Sequence, residues 1–383
     1  MNSNLPSWTG ITAAALLAAA LVPAAAAADA GVAYVSNERA GIDVIDLATL
    51  TVQRHIALGT EGPRGIAVTA DGRYVLAAVK GAGDLVVVDS AAGTVARTIP
   101  IGKNPEMVRI AGGYAFVTYE PQPVAGPGAG RPAKDAREGA DARGGKQAKE
   151  GKEAKEAKEG KDAAGGKDDD GATNAEVAVV DLATWSVVRS IRSGHETEGI
   201  EFSPDGRNVI VTNEGDNTVS VYDRATGKPV RTVATVAYGE RPRGIKVAPD
   251  GKAYIVTLES SDKFLVLDAD FNVVRSVPTK AGPYGVAYDP DGKRLFVAAS
   301  RSGVLQVFDA ASYAPLGEVA VGQRCWHFAF APDGATLLAA CGRSNAVYVV
   351  DARELRTVKV LDGAAGPWGI VTYPRASGTL DAR

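Results

Sequence analysis

The residues best placed to do chemistry in this chain recur at one position of a repeated tripeptide. The first and third members of the tripeptide are mostly Pro and Gly, while the middle residue is charged or aromatic. In chain order the middle residues are Arg64, Glu106, Glu198, Arg243, Tyr284, Trp326 and Trp368. Carboxylates can act as general bases, guanidinium groups bind anions, and aromatic rings stack on planar ligands. The variable position is therefore the main candidate for a ligand-binding site.

These middle residues divide into an ionic half and an aromatic half, in the order Arg, Glu, Glu, Arg and then Tyr, Trp, Trp. This order is expected where a planar or apolar ligand stacks on one side and its polar groups are held on the other. It is expected equally of a structural ring in which Arg and Glu pair with one another while the aromatic side chains plug a channel. The sequence leaves both interpretations open.

Two of the three histidines, His195 and His327, lie beside the same tripeptide position. Either could be a ligand for a metal or a haem iron. Against this reading, the sequence has no His-x-x-x-His and no paired-Cys zinc spacing. The sequence therefore does not identify a metal, and a tetrapyrrole and a divalent cation remain alternative cofactors.

The two cysteines, Cys325 and Cys341, flank a predicted hairpin whose turn is Pro332-Asp333-Gly334. If that turn is a three-residue loop, Ala331 pairs with Ala335, and the same register sets the two cysteines opposite each other. In an oxidising compartment, this arrangement favours a disulfide bond between them.

The tripeptides mark a repeat that must position all of these side chains. Their third residues are spaced 42, 92, 45, 41, 42 and 42 apart, so one unit is about 42 residues and one interval carries an insertion of about 50. Each unit reads as a strand, an Asp-Gly turn, a second strand, a third strand that ends in Asp, and a fourth strand. A period of this size built from short strands predicts an all-β, seven-bladed β-propeller of four-stranded antiparallel blades.

The first unit lacks its innermost strand, and the last tripeptide, at 367–369, has no partner strands after it. We therefore expect the C-terminal strand to join blade 1 and close the ring within a single domain at 31–378. The expected blades are 1 (31–61 with 364–378), 2 (62–102), 3 (103–194), 4 (195–239), 5 (240–280), 6 (281–322) and 7 (323–363), with a short tail at 379–383.

A second set of polar residues follows the second strand of each unit. Because strand direction alternates, these residues should lie on the same face of the disc as the tripeptides. The set contains Glu38, Lys80, Glu120, Glu214, Glu259, Arg301 and Arg343. Charge variation is thus expected to concentrate at one mouth of the central channel.

Two segments fall outside the repeat. Residues 1–30 carry an Ala/Leu-rich apolar run that ends in small residues, which predicts a signal peptide cleaved near Ala26 to Ala30 and export to the periplasm. Residues 121–174 are Gly, Ala, Lys, Glu and Asp, a composition too polar to bury a core, so we expect disorder there.

The near-balance of 42 basic and 45 acidic side chains argues against nucleic acid as a partner. We expect a monomer with no integral membrane span once the signal peptide is removed. The partner itself is left as an unknown small molecule or periplasmic protein.

Several phrases, such as Tyr34-Val-Ser-Asn, Arg241-Pro-Arg-Gly-Ile and Gly366-Pro-Trp-Gly-Ile-Val, resemble the YVTN-type seven-bladed propellers of bacterial periplasms. Within that group the chain is most similar to the exported propellers associated with pyrroloquinoline-quinone-dependent oxidation pathways. These are in turn distantly similar to the haem d-type propeller domain of nitrite reductases. The resemblance implies a planar redox cofactor at the channel mouth. The chain departs from the first group in Cys325, His327 and the Lys/Glu insertion.

Three functions follow. The leading hypothesis is an exported, non-enzymatic binding or scaffold protein that uses the channel mouth and is accessory to a periplasmic redox pathway. The alternative is an accessory protein that binds a haem d-type or related tetrapyrrole, with His327 or His195 near the iron. The third is a hydrolase resembling the seven-bladed lactonases, in which clustered carboxylates activate water on a divalent cation.

Overall fold

In the computed structural model, the described residues are Met1, 30–121 and 174–381. Nearly all of them form seven four-stranded antiparallel sheets arranged as a β-propeller, which confirms the predicted fold class. Residues 2–29 of the predicted signal peptide at 1–30 and residues 122–173 of the predicted disordered insertion at 121–174 lie outside the described residues.

The first fifteen strands of the chain belong to blades 1 to 4. They are β1 (Val32–Asn37), β2 (Ile42–Asp46), β3 (Thr51–Ile56), β4 (Pro63–Val68), β5 (Tyr74–Val79), β6 (Asp84–Asp89), β7 (Thr94–Pro100), β8 (Val108–Ala111), β9 (Tyr114–Tyr119), β10 (Glu176–Asp181), β11 (Ser186–Arg192), β12 (Thr197–Phe202), β13 (Asn208–Asn213), β14 (Thr218–Asp223) and β15 (Pro229–Ala234).

Blades 5 to 7 and the closing strand follow. They are β16 (Pro242–Val247), β17 (Ala253–Leu258), β18 (Lys263–Asp268), β19 (Val273–Pro278), β20 (Pro283–Tyr288), β21 (Arg294–Ala299), β22 (Val304–Asp309), β23 (Pro315–Ala320), β24 (Cys325–Phe330), β25 (Thr336–Cys341), β26 (Ala346–Asp351), β27 (Arg356–Asp362) and β28 (Pro367–Tyr373). Single 3-10 turns lie at Glu259–Ser261 and Gly342–Ser344. In the described residues, no helix is long and apolar enough to cross a membrane.

Blade 1 is closed by both ends of the propeller, as predicted. Its strand order is β28-β1-β2-β3, so the C-terminal strand is the innermost one. The antiparallel register runs from Val32 opposite Tyr373 to Asn37 opposite Pro367. In every blade the tripeptide therefore opens the inner strand or, in blade 3, directly precedes it.

Asp residues shape the turns at the opposite face, where the third and fourth strands of each blade meet. In blade 2, for example, the carboxylate of Asp89 accepts hydrogen bonds from the backbone N–H groups of Ala91 and Ala92 at 3.1 and 2.9 Å. Such Asx-type turns explain why the third strand of every repeat ends in Asp.

In five of the seven tripeptides the third residue is Gly, and at these positions the next blade leaves no room for a side chain. A Cβ on Gly199, Gly244 or Gly285 would lie 2.3–2.4 Å from the main-chain oxygen of the middle tripeptide residue in the following blade. Gly65 and Gly369 meet the same kind of oxygen at 2.7 and 2.6 Å. The inner strands are thus packed backbone to backbone around the axis.

The chain after β28 turns back into the channel. Gly378 forms a β-bridge with Ala329 of the innermost strand of blade 7, and the Thr379 N–H donates to the Phe328 oxygen at 3.0 Å. The sequence predicts a short tail at 379–383, but Thr379, Leu380 and Asp381 are buried. This segment, 377–381, is called the C-terminal plug below.

Candidate functional site

One arginine organises the charged side of the channel mouth. Arg243 donates from Nη1 to Glu198 and Glu214, and from Nε to Glu259 Oε2 at 2.8 Å. Burial alone would lower the pKa of Arg243, but Glu198 and Glu259 raise it, so the guanidinium stays charged. Burial likewise would raise the pKa of Glu259, yet Arg243 and the neighbouring arginines lower it. These groups form a largely buried, charge-paired cluster.

Two further arginines, which were not among the predicted site residues, join this cluster. Arg241 pairs with Glu214, and Arg324 Nη1 lies 3.2 Å from Glu259 Oε1. Both precede a tripeptide and hold left-handed backbones, with φ of 60° and 54°. Blades 1, 2 and 6 have Gly at this position, whereas blades 3 and 4 have Asn104 and Glu196 there, with φ of 49° and 50°. The repeat carried only a weak signal for the two arginines, because four of the seven blades have a residue other than Gly at this left-handed position.

A second ion-pair group surrounds Arg64. Its Nε lies 2.7 Å from Glu38 Oε1 and its Nη1 lies 2.5 Å from Glu106 Oε2, while Lys80 reaches Glu106 at 3.3 Å. Burial and the nearby Glu198 carboxylate raise the pKa of Glu106, against the opposing effect of Arg64 and Lys80. Tripeptide residues and second-strand residues thus meet on one face, as the alternation of strand direction predicted.

The aromatic side chains contact the charged side chains directly and do not face them across an open channel. The Tyr284 hydroxyl lies 3.3 Å from Glu198 Oε2, and the Arg243 guanidinium lies 5.0 Å from the Tyr284 ring centre. Arg64 lies 5.9 Å from the ring centre of Trp368, which is buried. Trp326 is partly buried and lies against Gly342. The structure thus brings the predicted residues together, but as mutually paired groups.

The remaining predicted residues lie at the rim. His195 Nδ1 contacts Asp216 at 2.6 Å, and Asn104 donates to Glu120 at 2.8 Å. Arg301 donates to the Glu259 main-chain oxygen at 2.7 Å, and Arg343 is exposed. Glu120 lies at this rim, and the long insertion follows it in the sequence.

His327 lies deeper than the mouth, inside the channel. Its side chain is buried, its ring centre is 4.4 Å from that of Trp368, and Nδ1 lies 3.0 Å from Thr379 Oγ1 of the C-terminal plug. Burial, together with the positive charges of Arg109 and Arg243, lowers the pKa of His327 to about 3. The imidazole is therefore neutral at ordinary pH.

A disulfide joins Cys325 to Cys341, and the two residues are paired across β24 and β25. The assumed turn register was wrong by one residue: Ala331 N–H bonds to the Thr336 oxygen, so the loop has four residues. A β-bulge between Cys325 and His327 takes up the extra residue and restores the cysteine pairing.

A buried polar group beneath the mouth was not anticipated. Arg109 Nη2 lies 3.2 Å from Glu201 Oε1 and 2.7 Å from the Asp381 main-chain oxygen. Lys246 donates to the Gly378 and Asp381 oxygens and lies 3.8 Å from Glu201 Oε2. All three side chains occupy the same place in an inner strand, two residues after the tripeptide. In the sequence, this buried group was indicated only by a charged residue at that place in an otherwise apolar inner strand.

These contacts limit which cofactors the axis can hold. A cavity of about 10 Å³ lies between the mouth residues and the C-terminal plug, against the several hundred Å³ usual for a small-molecule pocket. The residues along the axis do not fit a tetrapyrrole inside the channel. Within residues 30–121 and 174–381, no group of three or more His, Cys, Asp or Glu side chains is placed to bind a metal.

The model of the cytochrome D1 heme domain family matches residues 172–307, about a third of the chain. This match supports the similarity to haem d-type propellers that the sequence indicated. No curated protein has a significantly similar sequence.

Among solved structures, a functionally unknown protein from Desulfotomaculum acetoxidans is 15% identical with a TM-score of 0.67, over 89% of this chain and 98% of its own. The periplasmic gluconolactonase PpgL from Pseudomonas aeruginosa is 18% identical with a TM-score of 0.65, over 89% and 98%. The dihydro-heme d1 dehydrogenase NirN in complex with DHE is 15% identical with a TM-score of 0.55, over 88% of this chain and 65% of its own. At these identities the similarity shows the shared propeller fold alone.

Proposed function

We propose that this protein is a non-enzymatic binding or scaffold propeller that receives a ligand or protein partner on its mouth face, after export to the periplasm. The observation that carries this proposal is the left-handed backbone of Arg241 and Arg324. A side chain in that conformation costs about 1 kcal/mol relative to Gly, which blades 1, 2 and 6 use at the same place, while blades 3 and 4 have Asn104 and Glu196 there. A purely structural ring would not need either arginine there, since Arg243 already contacts all three carboxylates.

The chemistry of the mouth favours binding over turnover. Glu198, Glu214 and Glu259 are all held by Arg243, so none of them is placed as a free general base. The axis below is filled by the C-terminal plug. Arg241 keeps 46% of its side chain exposed and can reach a partner that rests on the rim.

A sharp test replaces the two strained arginines with the residue that other blades use. A photo-crosslinking amino acid at Lys80 on the mouth should form an adduct in cells of the source organism, while the same probe at the exposed outer residue Val274 should not. The adduct should disappear in the Arg241→Gly and Arg324→Gly double variant, in which the backbone conformation is retained because Gly tolerates it.

The matched control is Leu50→Gly, which changes a left-handed residue, with φ of 53°, in the turn between β2 and β3 of blade 1. This variant should keep the adduct. Equal crosslinking from Lys80 and Val274, or an adduct that survives loss of both arginines, would contradict the proposal.

A tetrapyrrole-binding accessory protein is the second candidate, favoured by the family-model match over 172–307. Since the channel has no room for the macrocycle, binding would have to use the mouth surface near the partly exposed Trp326. An absorbance titration with haem tests this function directly. A Soret band that does not shift on mixing argues against it, whatever the crosslinking result.

A further inference from the structure

The C-terminal plug lies in the channel as an added β-strand on blade 7. The Phe330 N–H donates to the Ser377 oxygen at 2.8 Å. The Thr379 N–H donates to the Phe328 oxygen at 3.0 Å. The plug therefore pairs with the edge of β24 that no other strand of the blade covers. Addition of a strand to a sheet edge is a general way in which proteins bind an extended polypeptide.

The opposite wall of the channel holds the same segment by its main-chain oxygens. Arg109 of blade 3 donates to the Thr379 oxygen at 3.2 Å and to the Asp381 oxygen at 2.7 Å. Lys246 of blade 5 donates to the Gly378 oxygen at 2.8 Å and also to the Asp381 oxygen. None of these four bonds uses a side chain of the plug. This wall therefore recognises an extended backbone.

The side chains of the plug indicate which extended peptides would fit. A Cβ on Gly378 would lie 3.1 Å from the Cβ of Ala329, so only a small residue suits that position. The Thr379 hydroxyl lies 3.0 Å from His327 Nδ1. Leu380 is buried in the largest apolar cluster of the propeller. A small residue, a hydroxyl residue and an apolar residue in succession therefore describe the ligand.

Buried charges line this part of the channel, and they favour a plug that can leave it. Arg109, Glu201 and Lys246 are almost fully buried at one level of three neighbouring inner strands. The other four blades have small or apolar residues at this level: Ala67, Ala287, Ala329 and Val371. In a channel that is always filled, apolar residues would be at least as stabilising, because attraction between buried charges often fails to offset their loss of hydration. In an open channel the same charged groups would be hydrated.

We propose that the part of the channel lined by Arg109, Glu201, Lys246 and β24 is a binding site for an extended polypeptide, and that the C-terminal plug is its resident ligand, which leaves and returns while the propeller stays folded. β28 begins at the mouth and ends at the opposite face, so the plug enters the channel from that opposite face. The site is separate from the mouth surface and does not depend on what binds there.

Cysteine labelling of the full-length protein tests whether the plug leaves. Both native cysteines are in the disulfide, so an introduced cysteine is the one free thiol. Thr379→Cys places it in the plug, and the matched control Thr372→Cys places it at an equally buried threonine of β28. In native buffer, a maleimide should modify Thr379→Cys about a hundredfold faster than Thr372→Cys, because local opening needs less free energy than unfolding. Equal rates would overturn the proposal.

A second measurement tests the binding site. Lys246→Met removes two donors to the plug, so it should speed the labelling of Thr379→Cys on the order of tenfold and leave that of Thr372→Cys unchanged. Once Thr379→Cys carries a bulky maleimide, the plug cannot return. A fluorescein-labelled peptide that copies 376–381 should then bind, as measured by fluorescence anisotropy, and should not bind the unlabelled protein.

Failure of the peptide to bind the labelled, folded protein would contradict a polypeptide site. If Thr379→Cys does not fold, hydrogen exchange of the wild type decides instead. We expect the N–H of Thr379 to exchange faster than the N–H groups of β28 that pair with β1. Equal protection of the two would overturn the proposal.

Discussion

The Thr257 hydroxyl of blade 5 lies 2.6 Å from the main-chain oxygen of Tyr284 in blade 6. The same oxygen atom of Thr257 accepts the N–H of Gly244, in its own blade, at 2.8 Å. Thr212 makes the same pair of bonds one blade earlier, to Arg243 and Gly199, and Ser36 makes them in blade 1. One hydroxyl thus joins the second strand of a blade to its own inner strand and to the next.

The Thr257→Val variant should lose about 2 kcal/mol of unfolding free energy, because two buried backbone groups are left without partners while the shape of the side chain is kept. Urea unfolding followed by circular dichroism measures this. Thr232→Val, at an exposed site on an outer strand, should change stability by less than about 0.5 kcal/mol. Equal losses in the two variants would show that the hydroxyl bridge is not the cause.

Gly244→Ala should be strongly destabilising, by about 2–3 kcal/mol, because its Cβ would lie 2.3 Å from the Tyr284 main-chain oxygen, which belongs to an inner strand that cannot easily move. Gly317→Ala is the matched control, since its nearest atom is the flexible end of Leu355. Thermal unfolding of both variants decides the question. A Tm for Gly244→Ala equal to that of the control would contradict the close packing of inner strands.

Arg243→Met should cost about 3–5 kcal/mol, because it leaves several buried carboxylates without their central partner. Arg207→Met removes an arginine that is 82% exposed and pairs only with Asp205 at the surface, so it should be nearly neutral. Chemical denaturation of both proteins provides the comparison. A small loss for Arg243→Met would mean that Arg241 and Arg324 can replace it.

Stability should fall as pH is lowered from about 6.5 towards 3, in part because of His327. The unfolded imidazole takes up a proton near pH 6.5, but the folded one, buried near Arg109 and Arg243, does so only near pH 3. Protonation of His327 therefore favours the unfolded chain between pH 6.5 and 3. Above pH 6.5 the neutral imidazole no longer lowers the free energy of unfolding. Between pH 6.5 and 5 the loss should be about 2 kcal/mol.

The His327→Met variant should show a shallower decline over the same range. Urea midpoints at several pH values are sufficient. Parallel curves for the wild type and His327→Met would rule out His327 as the source.

The fold could be predicted because its determinants are local. Each Asp at the end of a third strand caps its own turn, and each tripeptide Gly marks a close approach of backbones, so both recur in the sequence. Side-chain partners across the axis are not local. Glu198 and Tyr284 are two blades apart, and nothing in the repeat indicates that they touch. Thr379 of the C-terminal plug lies outside the seven repeats, so no repeated pattern in the sequence marks it. It contacts His327 only in the closed ring.

The pairing of β1 with β28 affects the order in which the propeller folds. Strands that are more than 300 residues apart must meet before blade 1 is complete, so this closure is among the slowest steps of folding. Blades 2 to 7 can form in order, but β1 keeps an unpaired edge until the segment at 367–373 pairs with it. Chains that stop before residue 367 would keep that edge permanently, and they should be the form that aggregates or is degraded.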